Sequence, residues 1–112
     1  MNPDQMAIEV TISQAKKSIK RMNALLALQK NKDYIFVIEE GYFQDETRRV
    51  VNLKADVNMA SDEQQQHIIR KIDGIGELAA FLEFAISHGQ TCLAGLAEHE
   101  NTLNEIIEEE SF

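Results

Sequence analysis

The chain has 112 residues, enough for one domain with one core, and its hydrophobic content of 44% argues against a disordered protein. Its net charge of −8 argues against general binding to the phosphate backbone of nucleic acids. No apolar run approaches the roughly 18 residues that cross a bilayer, and the first ten residues lack the pattern of a secretory leader. We therefore expect a soluble, cytoplasmic protein without membrane contact.

The charges are distributed unevenly along the chain. Residues 1–32 carry six basic and two acidic side chains, whereas residues 74–112 carry eight acidic side chains and no lysine or arginine. Opposite charges attract, so this distribution favours packing of the N-terminal segment against the C-terminal segment, within one chain or between two.

Residues 1–32 are predicted to form the first helix. Asn2 is suited to the N-cap and Pro3 to the first helical position. Apolar side chains then recur at spacings of four and three residues, which is typical of a helix that packs along one narrow seam. This seam consists of Ile8, Ile12, Ala15, Ile19, Met22 and Leu26.

Two interpretations remain open for residues 33–59. Apolar residues at helical spacing favour two short helices broken at Gly41. Residues 34–38, however, are rich in strand-forming side chains, and alternating apolar residues from Val51 to Val57 also fit a strand, so a β-hairpin is the alternative. The helical interpretation is preferred because the turn of such a hairpin would lack glycine.

A long helix is predicted from Ser61 to about Glu110, with Ser61 and Gln64 forming a capping box. Gly74 and Gly76 predict a kink, and the final glutamates predict a frayed last turn. Its seam again follows spacings of four and three residues. The seam consists of Ile68, Ile72, Ile75, Ala79, Leu82, Ile86, Gly89, Leu93, Leu96, Glu100, Leu103 and Ile107.

Gly89 and Glu100 are the two members that interrupt the apolar pattern of this second seam. Gly89 predicts the close approach of another backbone. Glu100 either sets the helix register by pairing with a lysine or arginine of the first helix, or lies in water at a frayed end.

His88, Cys92 and His99 are the best candidates for metal ligands. His88 and Cys92 are four residues apart and so share a helix face, and His99 follows two turns later. The favoured interpretation is a buried free cysteine with two surface histidines, because a zinc site needs about four ligands. We therefore predict no metal site and no cofactor.

The sequence also argues against an enzyme. Its carboxylate pairs, such as Glu39 and Glu40, are adjacent in the chain, and adjacent residues of a helix diverge by about 100°. Phosphate-binding loops, nucleophile elbows and paired-cysteine motifs are absent. Four basic residues of the first helix could bind phosphate, but a solvated flank is the favoured interpretation. These four are Lys16, Lys17, Lys20 and Arg21.

The middle of the chain contains three distinctive strings: Glu40-Gly41-Tyr42-Phe43, Arg49-Val50-Val51 with Leu53 and Ala55-Asp56, and Ile72-Asp73-Gly74-Ile75-Gly76-Glu77-Leu78. This pattern resembles small tailed-bacteriophage proteins of unassigned function. The resemblance implies a phage origin, a role in virion assembly or host takeover, and a place in the cytoplasm of the bacterial host or on the virion. If the middle is a hairpin, the architecture is instead similar to a prefoldin subunit.

We therefore predict an all-α protein over residues 1–112: a long helical hairpin or coiled-coil bundle with short helices at the joint. We expect a non-enzymatic assembly, structural or chaperone-like factor that contacts itself, as a dimer or larger oligomer, and a phage or host protein. An acidic inhibitor of a host nucleic-acid-binding or defence protein is the alternative. The predicted interface residues are Ile68, Ile72, Ile75, Leu82, Ile86, Leu93, Leu96, Leu103, Ile107, Tyr42 and Phe43. The last two could form an exposed docking knob with Arg48 and Arg49, but the favoured interpretation is that both rings plug the end of the bundle.

Overall fold

The computed structural model describes residues 2–111, and the regular structure in that range is entirely helical, without a strand. The all-α prediction is confirmed, and the helix–β-hairpin–helix alternative is wrong. The helices are α1 (Pro3–Leu28), α2 (Lys32–Tyr34), a π-helix (Ile35–Glu46), α3 (Thr47–Ala55), a 3₁₀ turn (Val57–Met59) and α4 (Asp62–Glu110). Contacts group them into two compact units, residues 2–26 with 84–111, and residues 27–83. The single domain predicted above stays a prediction.

Helix α1 begins where the sequence indicates and ends earlier than predicted. The Oδ1 atom of Asn2 accepts a hydrogen bond from the Gln5 amide at 2.6 Å, so Asn2 is the N-cap. The helix stops at Leu28 because Asn31 starts a new one with extended backbone angles. The Asn31 side chain accepts hydrogen bonds from the amides of Asp33 and Tyr34, at 2.9 and 3.1 Å.

In residues 27–83, the helical backbone is continuous from Lys32 to Ala55, so the predicted break at Gly41 is wrong. Gly41 lies inside the π-helix, whose backbone hydrogen bonds span five residues rather than four. A Cβ atom at Gly41 would lie 3.2 Å from the carbonyl oxygen of Phe36, five residues earlier. Glycine therefore relieves crowding in this wider helix instead of ending it.

Hydrogen bonds fix the connection from α3 to α4. The Gln65 side chain donates to the carbonyl oxygens of Met59 and Lys54, at 2.8 and 3.1 Å. The predicted capping box is confirmed: the Gln64 amide donates to the Ser61 hydroxyl at 3.2 Å, and the Ser61 amide donates to the Gln64 side chain at 3.3 Å. The core of this unit includes Val50 and Ile68, which are 0% and 1% exposed.

Helix α4 has the bounds that the sequence predicts and is more regular than expected. It passes through Gly74 and Gly76 without interruption and stays helical to Glu110, so the predicted frayed last turn is not observed. The side-chain amide of Asn2 donates a hydrogen bond to the carboxylate of Glu110, which holds this end against the start of α1.

Within residues 2–26 and 84–111, α1 and the C-terminal part of α4 pack antiparallel. Three contacts fix the direction, because residue numbers rise on one helix as they fall on the other: Asn2 with Glu110, Lys16 with Glu100, and Met22 with Gly89. The residues buried in this unit are Ile12, Ala15, Met22, Leu25, Ala85 and Gly89. The basic first helix thus packs on the acidic last helix, as the charge distribution predicts.

Candidate protein-contact surfaces

The buried stripe of α4 agrees with the predicted seam as far as Gly89 and differs from it at two positions beyond: Leu96 and Leu103 stay half-buried as predicted, whereas Cys92 and Ile106 take the places of Leu93 and Ile107. In the other unit, Ile68 is buried, and Ile72, Ile75 and Leu82 are half-buried. After Gly89, Leu93 and Ile107 are 54% and 41% exposed. The half-buried positions there are Cys92, Gly95, Leu96, His99, Glu100, Leu103 and Ile106. From Gly89, the repeat can continue to Leu93 by a step of four residues or to Cys92 by a step of three. Helix α1 lies on the Cys92 side.

Helix α1 covers this stripe of α4 only partly. Leu96, Leu103 and Ile106 remain half-buried, and Leu93 and Ile107 lie beside them with about half of their surface exposed. A helix packed against one neighbour buries a single stripe, so a wider apolar face stays in water unless a further helix covers it. We call Leu93, Leu96, Leu103, Ile106 and Ile107 the α4 apolar face.

Gly89 and Glu100, which interrupt the apolar seam, both contact α1. Gly89 does mark a close approach, because a Cβ atom there would lie 2.4 Å from the Cβ of Met22 on α1. Glu100 does pair with a basic residue of α1, since its carboxylate lies 3.7 Å from the Lys16 ammonium. Both side chains of this ion pair are about half exposed, so it adds little stability. Its role in setting the register stays a prediction.

His88, Cys92 and His99 line one cleft of about 260 Å³ together with residues of α1 that include Thr11 and Ser18. The Cys92 sulfur lies 3.6 Å from the Nε2 atom of His88, and the Phe84 ring stacks on the His88 ring with centroids 4.9 Å apart. Within residues 2–111, however, no three histidine, cysteine or acidic side chains form a group that could hold a metal ion. The arrangement offers a pair of ligands rather than a complete site.

The π-helix carries the most exposed aromatic side chain of the described residues 27–83. Phe36 is 69% exposed and its neighbour Val37 is 59% exposed. Both line an open groove of about 550 Å³. The groove, which we call the π-groove, is lined by Phe36, Val37, Ile38, Gly41, Tyr42, Asp45 and Glu46. Its lining is mainly apolar, with two carboxylates at one end.

Tyr42 and Phe43, the predicted docking residues, lie on the same helix but are half-buried. Their rings meet edge to face with centroids 5.4 Å apart, an arrangement that aromatic pairs favour. Tyr42 lines the π-groove, whereas Phe43 is not among the lining residues. The structure therefore moves the centre of this candidate surface toward Phe36 and Val37.

The segment around the π-groove is strongly acidic. Residues 33–47 contain five acidic side chains and no lysine or arginine. One of the five, Glu46, accepts two hydrogen bonds from the Arg49 guanidinium, at 2.9 and 2.5 Å. These hydrogen bonds lower the pKa of Glu46 and raise the pKa of Arg49.

Sequence reasoning missed Phe36 and Val37 as contact residues because both fit the interior of a strand or a short helix. The available signal was the charge pattern: Asp33, Glu39 and Glu40 flank the apolar run from Tyr34 to Ile38, and no basic residue lies between Lys32 and Arg48.

Comparisons with known proteins return no relatives. The chain matches no family model, and neither a curated protein nor a solved structure is similar enough to count as a match. Within residues 2–111, no helix combines the length and the apolar character needed to cross a lipid bilayer.

Proposed function

We propose that this protein is not an enzyme and acts through protein–protein contacts, as an assembly, structural or chaperone-like accessory factor. The observation that carries the proposal is the α4 apolar face, which α1 covers only in part. Leu93 and Ile107, with 54% and 41% of their surface exposed, form its open edge. Apolar side chains that are half-buried or exposed along one helix face are typical of surfaces that bind another protein.

A second copy of the chain is the occupant that we propose for this face. An antiparallel pair of helices is half of a four-helix bundle, and a second pair would cover the remaining apolar surface. Charge also favours a crossed arrangement, in which the basic α1 of each copy contacts the acidic α4 of the other. The expected assembly is a homodimer.

Light scattering coupled to gel filtration tests this proposal. The wild-type protein is expected to be a dimer at micromolar concentration, and the double variant Leu93→Glu, Ile107→Glu is expected to be a monomer of unchanged helix content. The matched control is Ala94→Glu, Asn101→Glu, which adds the same charge at exposed positions outside the α4 apolar face. A wild-type monomer throughout this range, or equal masses for both variants, would contradict the proposal.

A phage origin is the second part of the proposal, and it rests on the resemblance of residues 40–43, 49–56 and 72–78 to proteins of tailed bacteriophages. The protein would then act in the cytoplasm of the infected bacterium or on the virion. Affinity capture from infected cells tests this role: virion proteins in the captured material support assembly.

An acidic inhibitor of a host nucleic-acid-binding or defence protein is the alternative function. It is favoured by the end of α4, where Glu98, Glu105 and the glutamates at 108–110 are exposed and no basic residue intervenes. Such a surface would compete with nucleic acid for a basic site. Capture of a host polymerase, nuclease or defence protein, abolished when residues 108–110 are changed to glutamine, would favour inhibition over assembly.

A further inference from the structure

We propose that the π-groove binds an amphipathic helix of another protein, with an apolar face flanked by lysine or arginine. This inference rests on the proposed function, a protein that works by contact, and it names the chemistry of one partner. It concerns residues 35–46 and is independent of the α4 apolar face.

The shape and the lining of the groove fit a helix. The volume of about 550 Å³ is open along the surface of the π-helix, and two of its lining residues, Phe36 and Val37, are 69% and 59% exposed. Gly41 also lines the groove and has no side chain to fill it. Helices that bind grooves insert such anchors at spacings of three and four residues.

The backbone of this segment is itself unusual. Twelve successive residues, Ile35–Glu46, form a π-helix, whereas π-helical geometry is rare and occurs mostly as single turns, frequently at functional sites. In this geometry the Phe36 carbonyl oxygen would lie 3.2 Å from a Cβ atom at Gly41. The rare π-helical backbone and the exposed ring of Phe36 therefore occur in the same segment.

Charge decides between classes of partner. Asp45 and Glu46 line the groove, and Asp33, Glu39 and Glu40 lie in the same segment, where no basic residue lies between Lys32 and Arg48. The field of this segment repels an acidic helix and nucleic acid, and it attracts a basic helix. Glu46 is already held by Arg49 and also feels the positive charge of Lys71, so Glu40 and Asp45 are the carboxylates that we expect to meet the partner.

A second copy of this chain is a poorer occupant. Its basic helix is α1, and α1 uses its apolar stripe on α4, with Met22 packed against Gly89. Only Met6, Val10, Leu26 and Leu28 of α1 remain exposed as large apolar residues. The experiment separates this occupant from a foreign helix.

The probe is a synthetic, fluorescently labelled helix of leucine and lysine, with leucines at positions i, i+3, i+4 and i+7. Its binding to the full chain is followed by fluorescence anisotropy. The double variant Phe36→Ser, Val37→Ser is expected to bind about tenfold more weakly or worse, as truncation of central anchors does. The control Val57→Ser removes an apolar side chain that is 85% exposed outside the groove, and it is expected to bind like the wild type.

Charge is tested in the same assay. The variant Glu40→Gln, Asp45→Asn is expected to weaken binding at low salt and to reduce its salt dependence, because charges at this surface are screened when salt is added. A peptide with glutamate in place of lysine is expected not to bind. Circular dichroism establishes that each variant keeps its helix content.

Three outcomes would overturn the proposal. The first is equal affinity of the wild type and the Phe36→Ser, Val37→Ser variant. The second is loss of binding when Glu108, Glu109 and Glu110 are changed to glutamine, which would place the peptide on the acidic end of α4. The third is a lower mass of the Phe36→Ser, Val37→Ser variant without peptide, which would make a second copy the occupant. A monomeric wild type that binds the peptide at Phe36 would refute only the proposed dimer.

Discussion

Gly89 of α4 lies so close to Met22 of α1 that a Cβ atom on Gly89 would be 2.4 Å from the Cβ of Met22 and 2.8 Å from its sulfur. Two carbon atoms that are not bonded to each other make their best contact at about 3.5–4.0 Å. Glycine is therefore what allows the two helices to approach this closely. The spacing of the helix pair is set at this point.

The variant Gly89→Ala is expected to destabilise the protein by about 1–3 kcal/mol, the usual cost of an extra methyl group in a packed site. Rotation of the Met22 side chain cannot relieve the clash, because the Cβ atom of Met22 does not move with it. The measurement is urea unfolding followed by circular dichroism. Gly95→Ala is the control, since a Cβ atom there would lie 3.6 Å from His99, an ordinary contact. Equal stability of both variants would contradict the close approach.

Gly74→Ala and Gly76→Ala are expected to stabilise the protein, each by about 1 kcal/mol, because alanine has the higher helix propensity and both glycines are inside α4. Nothing lies within 4 Å of a Cβ atom at either position, so the new methyl groups meet no other atoms. The midpoint of urea unfolding should rise for each variant. A lower midpoint would reveal a partner packed on this face of the helix.

The core of residues 27–83 is tested at two adjacent isoleucines. Ile68→Ala should lower the free energy of unfolding by about 2–5 kcal/mol, because this side chain is 1% exposed. Ile69→Ala is the matched control: the neighbouring side chain is 43% exposed and should cost far less. Similar losses for the two variants would show that α4 is rotated from the orientation described.

The Glu46–Arg49 pair predicts a loss of stability in acid. The Arg49 hydrogen bonds lower the pKa of Glu46 below its ordinary value of 4.5, so the folded protein binds this proton less readily than the unfolded chain does. The stabilising contribution is therefore present above pH 4.5 and is lost as the pH falls through the lowered pKa. The stability difference between the wild type and Glu46→Gln should shrink across that range.

Arg49→Gln is the companion variant for this prediction, since it removes the other partner of the same two hydrogen bonds. Its difference from the wild type should shrink over the same pH range, as measured by urea unfolding at each pH. A difference that stays constant down to the lowest pH would mean that the pair does not contribute through ionisation.

Local signals predicted the helix starts well. Asn2 with Pro3, and Ser61 with Gln64, are caps whose hydrogen bonds lie within a few residues, so sequence alone specifies them. Asn31 has the same chemistry and was missed, because the apolar and basic pattern of α1 continues past Leu28 and hides the boundary.

The π-helix could not be predicted, since residue preferences do not distinguish hydrogen bonds over five residues from those over four. The sequence predicts a break at Gly41 because the role of this glycine depends on the Phe36 carbonyl oxygen, which only the folded backbone brings near. For the same reason the candidate surface moved from Tyr42 and Phe43 to Phe36 and Val37.

The seam of α4 shows a different limit. Periodicity fixes which residues repeat, but Cys92 and Leu93 both continue the repeat after Gly89. The position of α1 decides between them, and it places Leu93 outside with 54% of its surface exposed. A single sequence does not contain that position.

The hydrogen bond between Asn2 and Glu110 has a mechanical consequence. A force that pulls these two residues apart would act at one end of the antiparallel pair and perpendicular to the helix axes. The helices would therefore separate one turn at a time, beginning at that end. The same force along the helix axes would have to shear every contact at once. Pulled from these two residues, this unit should therefore yield at low force, starting with Asn2 and ending near Met22 and Gly89.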